Sequence, residues 1–148
     1  MGKVIAVANQ KGGVGKTTTV INLASYLGKQ GKRVTVVDFD PQGNATSGLG
    51  LEKNTLDKGI YQMILNGESF VDIQKDTKFE NIILIPTNQQ LAGAEVELAS
   101  EIGREMMLKQ ALQGLAADYV LIDCPPSLGL LTVNALTAAD FVLIPVQC

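Results

Sequence analysis

The sequence predicts an α/β fold in which a mostly parallel β-sheet is flanked by helices on both faces. Five short apolar runs are continuous rather than alternating, which is typical of strands buried on both faces. These runs are residues 4–7, 33–37, 82–86, 119–122 and 141–146. Stretches with the spacing of amphipathic helices lie between the runs. Alternation of strand and helix favours parallel strands joined by crossover helices.

The first helix is predicted directly after the first strand, over residues 17–29. Its apolar side chains recur three and four residues apart, and Gly31 follows as a stop signal before the second strand. A longer helix is predicted over residues 91–115. The glutamates expected to face solvent on it are Glu95, Glu97, Glu101 and Glu105. The remaining predicted elements are short helices at 56–65 and 130–137 and loops at 40–54 and 125–129.

The last apolar run, residues 141–146, is predicted to be an edge strand. An exposed apolar edge strand tends to pair with another chain, because its outer N–H and C=O groups have no partner. We therefore expect a polypeptide of residues 1–148 to associate through this edge.

The composition excludes several classes of protein. With 46% hydrophobic and 18% charged residues among 148, the chain is core-rich rather than disordered, and one domain is expected. The absence of histidine excludes His-assisted triads and His-ligated zinc. Two cysteines are too few for a disulfide framework, which fits a reducing cytoplasm. No apolar run reaches 18 residues, so neither a membrane span nor a membrane partner is expected.

The charges are distributed unevenly along the chain. Residues 1–37 hold six of the twelve Lys and Arg residues and none of the fifteen Asp and Glu residues. The net charge of −3 does not by itself indicate nucleic-acid binding. A basic opening segment suits a small polyanion instead.

Polar clusters follow three of the predicted strands. They are residues 9–18, 38–44 and 123–127. In open α/β sheets, ligands bind beyond the carboxyl ends of the strands. The sequence therefore predicts a ligand site at this edge of the sheet.

Residues 11–18, KGGVGKTT, join the first strand to the first helix. The glycines let backbone N–H groups approach a polyanion, and the helix N-terminus adds partial positive charge. Lys16 is expected to reach the β- and γ-phosphates of a nucleotide, and the Thr17 hydroxyl to ligate Mg²⁺. The predicted nucleotide-binding residues are Lys11, Gly12, Gly13, Val14, Gly15, Lys16, Thr17 and Thr18. The alternative is a glycine-rich turn that only connects two elements.

Lys11 is a second lysine in this loop. It follows Gln10, which occupies the place of the first glycine in the usual G-x-x-x-x-G-K-[ST] pattern. Phosphoryl transfer commonly needs an extra cation to offset the charge that develops on the transferred oxygens. Arg33 precedes a strand and Arg104 falls in the long helical stretch, so neither is expected at the site. Lys11 is therefore the candidate catalytic cation, for instance across a dimer interface; the alternative is a solvated loop lysine.

Asp123 ends the apolar strand at residues 119–122. A carboxylate at the end of such a strand is where a Walker-B aspartate orders the Mg²⁺ shell, usually through water. We predict this metal-supporting role for Asp123 because it shares the sheet edge with the glycine-rich loop. A lone Asp at a strand end otherwise forms a turn or caps a helix.

Asp38 and Asp40 end the second strand and, if the chain stays extended, point to the same face. Asp40 is predicted to orient or deprotonate the attacking water, and Asp38 to support the metal shell. The alternative is a pair of loop acids that cap the turn at Gly43 and Asn44.

Together these segments resemble the ParA/Soj branch of the MinD/ParA family, ATPases with a deviant Walker A motif that position DNA and other cargo in bacteria. The matching stretches are residues 8–19, ANQKGGVGKTTT; residues 37–46, VDFDPQGNAT; and residues 121–129, LIDCPPSLG. The resemblance implies a P-loop NTPase fold with ATP and Mg²⁺ as cofactors. The site residues that it implies are Lys11 as the signature lysine acting in trans, Lys16 and Thr17 for phosphate and Mg²⁺, Asp40 for water and Asp123 as the Walker-B acid.

Partners follow from the same resemblance. It implies an ATP-dependent homodimer that sandwiches two nucleotides, binds DNA without sequence preference and is stimulated by a ParB-type protein. It also implies a cytoplasmic, nucleoid-associated protein of chromosome or plasmid partition. The family usually runs on into further helices and strands that supply DNA-binding residues. Residues 1–148 are therefore predicted to be a P-loop ATPase domain that is incomplete at its C-terminus.

Two alternative functions stay open at this point. Cys124 and Cys148 both follow predicted strands at the ligand edge. Two cysteines per chain make four in a dimer, as in the electron-transfer ATPase of the nitrogenase iron protein type, whose dimer shares an iron–sulfur cluster. In the other alternative, the chain binds nucleotide without turnover because the dimer that inserts Lys11 does not assemble.

Overall fold

A six-stranded sheet forms the centre of the fold in the computed structural model, which describes residues 2–9 and 15–146. Its strands are β1 (Lys3–Val7), β2 (Val34–Asp38), β3 (Lys75–Asp76), β4 (Ile82–Ile85), β5 (Tyr119–Asp123) and β6 (Phe141–Leu143). The order across the sheet is β3-β4-β2-β5-β1-β6, and each described pair of neighbours is parallel except β3 with β4. The mostly parallel sheet that the sequence predicts is confirmed.

The helices are mostly short. They are α1 (Lys16–Lys29), α2 (Asn44–Gly48), α3 (Ile60–Asn66), α4 (Phe70–Ile73), α5 (Ala94–Leu98), α6 (Met107–Ala111) and α7 (Leu130–Ala138). The described residues also contain 3₁₀ turns at Lys53–Thr55, Gln89–Gly93 and Arg104–Met106. Within the described part of the chain, none of the helices is long and apolar enough to cross a lipid bilayer.

Both faces of the sheet are covered. On one face, α1 and α2 pack over strand side chains such as Val36 and Leu84. On the other face, α3, α5, α6 and α7 pack over the next residues along the same strands, including Val37 and Ile85. Successive side chains of a strand point to opposite faces, so a sheet buried on both sides needs apolar residues at every position. This is why the strand runs in the sequence are continuous.

The single helix predicted over residues 91–115 is wrong. That stretch contains most of a 3₁₀ turn, then α5, a second 3₁₀ turn and α6. Gly103, between α5 and α6, has a φ of 70°, in the left-handed region that a right-handed helix does not contain. One of the four glutamates is also not fully exposed: Glu95 is half-buried and accepts a hydrogen bond of 3.3 Å from the Leu130 N–H at the start of α7.

Several predicted boundaries also differ from the structure. Residues 40–54 contain α2 rather than loop alone, and the strand predicted at 141–146 ends at Leu143. The helix predicted from residue 56 begins at Ile60, because Gly59 is extended and its N–H donates to the Gln62 side chain at 2.7 Å. β3 was not predicted, since its two residues form no apolar run.

The C-terminal ends of β1, β2 and β5 meet at one edge of the sheet. Asp38 and Asp123 are the last residues of β2 and β5 and lie in register with each other. Asp123 is also in register with Val7, the last residue of β1. The three strands therefore deliver their following segments to the same place, which is where the sequence predicts a ligand site.

Candidate nucleotide-binding site

The N-terminus of α1 opens at this edge of the sheet. Gly15 precedes the helix with a φ of 77°, a conformation that favours glycine, and its carbonyl accepts the first helical hydrogen bond from the Thr19 N–H at 2.8 Å. The first N–H groups of an α-helix have no partner within the helix, so at this end of α1 they are available to an anion. Thr18 is exposed on this first turn. The predicted binding residues Lys11, Gly12, Gly13 and Val14 lie outside the described residues and stay predictions.

Lys16 is the first residue of α1 and is only 8% exposed. Its ammonium lies 3.0 Å from Asp123 Oδ1 and 3.5 Å from Asp40 Oδ2. One buried cation thus joins the ends of two strand-derived segments, one from β5 and one from the turn after β2. The structure brings together three side chains that the sequence assigned to a single site.

Thr17 completes the contact with β5. Its hydroxyl donates to Asp123 Oδ2 at 2.8 Å, while Asp123 Oδ1 accepts from Lys16. Asp123 is fully buried, and burial raises the pKa of its carboxyl, an effect that the neighbouring Lys16 ammonium and the Thr17 hydroxyl oppose. Both oxygens of Asp123 therefore face the two residues that begin α1.

Asp40 lies just beyond β2 and is almost fully buried. Its Oδ1 accepts a hydrogen bond of 3.0 Å from the Gln42 N–H, and its Oδ2 faces the Lys16 ammonium. The Gln42 contact is the short local turn that aspartate readily forms. The other oxygen points toward the Lys16 ammonium, and the water-activating role of Asp40 stays a prediction.

Asp38 is bound differently from Asp40 and Asp123. Its Oδ1 accepts from the Asp40 N–H at 3.2 Å, and its Oδ2 accepts from both the N–H and the hydroxyl of Thr46, at 2.7 and 2.6 Å. Complete burial raises the pKa of Asp38 to about 7, with the Asp123 carboxylate adding to the rise and the Thr46 hydrogen bonds opposing it. All three hydrogen-bond donors to Asp38 are groups of the protein. The metal-supporting role of Asp38 stays a prediction.

Two residues outside the predicted set also shape the site. Thr46, in α2, holds Asp38, and Lys53 donates from its ammonium to the Pro41 carbonyl at 2.7 Å. Thr46 lies within the distinctive stretch at residues 37–46, but a threonine in a segment predicted to be a loop suggests no specific partner. Nothing in the sequence signals Lys53, since its contact depends on how the 3₁₀ turn at Lys53–Thr55 folds back.

Comparison with known proteins assigns the family. A family model described as an AAA domain (AAA_31) matches residues 2–148. The sporulation initiation inhibitor protein Soj of Bacillus subtilis is 58% identical over all of this chain, and the chromosome partitioning protein ParA of Myxococcus xanthus is 51% identical. The chain belongs to this AAA-domain family, among the homologues of Soj and ParA.

A solved structure shows the same fold. Cobyrinic acid a,c-diamide synthase from Mycobacterium smegmatis, with a bound ATP analogue and magnesium, has a TM-score of 0.96 and 47% identity over the whole chain, which covers 61% of that protein. The α/β fold of P-loop NTPases is thereby confirmed. The chain spans 59% of the length of Soj and 53% of that of ParA.

Cys124 directly follows Asp123 at the ligand edge of the ParA/Soj-type fold, but its side chain is packed in the core. It is fully buried, and burial raises the pKa of its thiol to about 12, so it stays protonated. A protonated, buried thiol behaves as a small apolar side chain. Cys148, the second cysteine of the iron–sulfur alternative, lies outside the described residues. The position of Cys124 gives that alternative no support.

Proposed function

We propose that this chain is the nucleotide-binding part of a partition ATPase that binds and hydrolyses Mg·ATP. The observation that carries the proposal is the convergence of Lys16, Thr17, Asp40 and Asp123 at the N-terminus of α1. A helix N-terminus and a buried ammonium suit phosphate, and carboxylates at neighbouring strand ends suit magnesium and water. The family membership supports ATP as the nucleotide.

The residues present fit magnesium. The Thr17 hydroxyl oxygen and a carboxylate oxygen of Asp123 lie 2.8 Å apart. Oxygen atoms of this kind are the ligands that Mg²⁺ prefers. Among the described residues, no group of three or more His, Cys, Asp or Glu side chains forms a metal site. A magnesium site here therefore needs phosphate oxygens as well, which is the usual arrangement in nucleotide-binding proteins. When bound, the ion offsets negative charge on the phosphate oxygens.

Lys16 is paired with Asp123 and Asp40. With nucleotide bound, Lys16 would exchange these carboxylates for phosphate oxygens, and Thr17 and Asp123 would hold the metal. Asp40 then orients a water molecule toward the γ-phosphorus. The new P–O bond forms as the bond to the bridging oxygen of ADP breaks, and Asp40 accepts the proton that the water loses.

The larger activity is part of the same proposal. Lys11 enters the nucleotide site of a second subunit, in a homodimer that sandwiches two ATP molecules. The dimer binds DNA without sequence preference, and a ParB-type partner stimulates hydrolysis. The support is the similarity to Soj and ParA, whose names describe sporulation and chromosome partitioning. Residues 1–148 contribute the ATPase domain to this protein.

The test is calorimetry of Mg·ATP binding and a turnover assay on the full-length protein. Lys16→Ala is expected to weaken binding by about 10–100-fold, because a charged hydrogen bond to phosphate contributes about 1.5–3 kcal/mol. Lys11→Ala is expected to keep the affinity and to lose turnover by about a thousandfold, as loss of a cation acting in trans does. Lys29→Ala, at the exposed far end of α1, is the control. No uptake of Mg·ATP by the wild type contradicts the proposal, and undiminished turnover in Lys11→Ala removes the in-trans role.

A further inference from the structure

The turn that carries Asp40 is held from the inside by Asp38. The Asp38 carboxylate accepts the Asp40 N–H at one oxygen and both donors of Thr46 at the other, and all of these groups are buried. One side chain thus joins the beginning of the turn to its end, where α2 starts. Hydrogen bonds to a carboxylate are stronger than those between neutral groups.

Thr46 connects this arrangement to a second strand. Its hydroxyl oxygen accepts a hydrogen bond of 3.2 Å from the Thr87 N–H. Thr87 is buried and follows β4, the neighbour of β2. The turn is therefore tied to the ends of two adjacent strands rather than to one.

Lys53 holds the same turn from the outside. Its ammonium donates to the carbonyl of Pro41, the residue after Asp40, at 2.7 Å. Its aliphatic stem covers Gly43, where a Cβ would come within 2.8 Å of Lys53 Cδ and 3.1 Å of Thr87 Cγ2. Gly43 has a φ of 74°, which L side chains rarely adopt, so the turn is closely packed and sharply bent at this point.

Asp38 and Lys53 are the two anchors of this turn, and the contacts that hold it do not involve the Lys16 ammonium. The Lys16 ammonium contacts Asp40 and Asp123, whereas the three hydrogen bonds of Asp38 come from the turn and α2. Lys53 contacts a backbone carbonyl. What both anchors determine is the backbone position of Asp40, and a displacement of about 1 Å in a reacting group can cost about a hundredfold in rate.

We infer that Asp38 and Lys53 are positioning residues for ATP hydrolysis: they fix the turn that carries Asp40 and so set the rate of water attack. This inference rests on the proposed role of Asp40. It assigns Asp38 a role other than metal support and adds a lysine from outside the three motif segments. Nucleotide affinity depends on α1 and the residues before it, so the two anchors affect turnover much more than binding.

The experiment measures kcat and the Kd for Mg·ATP on the full-length protein. Lys53→Met keeps the stem and removes the ammonium; it is expected to lower kcat by about tenfold while the Kd changes by less than about twofold. Lys53→Arg keeps the positive charge and is expected to restore most of kcat. Asp38→Asn places an amide donor where three donors now converge, and we expect it to lower kcat by more than Lys53→Met does.

The matched control is Lys58→Met, which removes a lysine whose ammonium pairs with Glu68 rather than with a group of this turn. It is expected to leave both kcat and Kd unchanged. If the wild type hydrolyses ATP and Lys53→Met turns over at the wild-type rate, the inference is overturned while the proposed function stands. The inference also fails if Lys53→Met weakens Kd as much as it lowers kcat, or if Lys53→Arg is as slow as Lys53→Met. A wild type without ATP turnover overturns the proposed function and this inference together.

Discussion

At the scale of single residues, the site is built from buried carboxylates that cost free energy in the absence of a ligand. Asp38 and Asp123 are both fully buried, and burial raises the pKa of each. A carboxyl whose pKa is raised on folding binds protons more tightly in the folded state. Its contribution to stability is complete below the unfolded pKa and is lost as the pH rises through the folded pKa.

This sign predicts how the stability of the nucleotide-free protein depends on pH. The pKa of Asp38 rises from 3.8 to about 7, so its contribution falls by about 4 kcal/mol across that interval. The measurement is the free energy of unfolding by denaturant titration, with a chelator present. Between about pH 5 and pH 7, which is the upper part of the interval between the two pKa values, we expect it to decrease more steeply in the wild type than in Asp38→Asn.

Asp76→Asn is the control for this measurement, because Asp76 is exposed in β3. It is expected to follow the wild-type pH dependence. Parallel pH profiles for the wild type and Asp38→Asn would contradict the raised pKa of Asp38.

At the scale of elements, a helix or strand is predictable from the sequence where local patterns determine it, and is not where tertiary contacts or single backbone conformations do. The apolar runs of β1, β2, β4 and β5 and the helical spacing of α1 are local patterns, and these elements lie within one or two residues of their predicted positions. The stretch at 91–115 has apolar residues at helical spacing too, but Gly103 interrupts it. Non-helical backbone within the stretch, which includes the left-handed Gly103 but begins after Leu98, outweighs the pattern there.

The candidate site shows the same division. The glycine-rich loop and the strand-end aspartates are visible as sequence signals, and the structure brings Lys16, Asp40 and Asp123 together. The partner of Asp38 is not visible, because its contact with Thr46 exists only once residues 44–48 form α2. The sequence therefore predicts which charged residues lie together at the strand ends. It does not predict the hydrogen bonds that give each residue a different role, because these arise from tertiary packing.

α1 offers a test of how tightly an element that carries the site is packed. An alanine in place of a helical glycine usually stabilises a helix by about 0.5–1 kcal/mol. A Cβ at Gly28, however, would run into the backbone carbonyl of Glu80, just before β4. We expect Gly28→Ala to lower the free energy of unfolding by about 1–3 kcal/mol, the usual cost of overpacking, as measured by denaturant titration.

Asn22→Ala is the matched control, an exposed position in the middle of the same helix. It is expected to stabilise the protein by a few tenths of a kcal/mol, following helix propensity. The two substitutions should thus have opposite signs. A stabilising Gly28→Ala would show that α1 does not lie as close to the segment before β4 as the structure places it.

At the scale of the whole molecule, the two edges that the sheet has within residues 1–148 are unlike each other. β3 is short and consists of Lys75 and Asp76, charged residues that discourage pairing with another chain. β6 at the other edge is apolar, and all three of its side chains are exposed, Phe141 by 54%. Ile144 and Val146, which follow the strand, are exposed as well.

This asymmetry predicts concentration-dependent association of a polypeptide of residues 1–148 through β6. Val142 lies at the centre of the strand, so Val142→Lys places a charge on the pairing edge and is expected to shift the polypeptide toward monomer in analytical ultracentrifugation. Val96→Lys adds the same charge at a more exposed apolar residue of α5 and is expected to associate like the wild type, because α5 presents no unpaired strand edge. A wild-type polypeptide that stays monomeric at high concentration would contradict pairing through β6, as would equal association of the two variants.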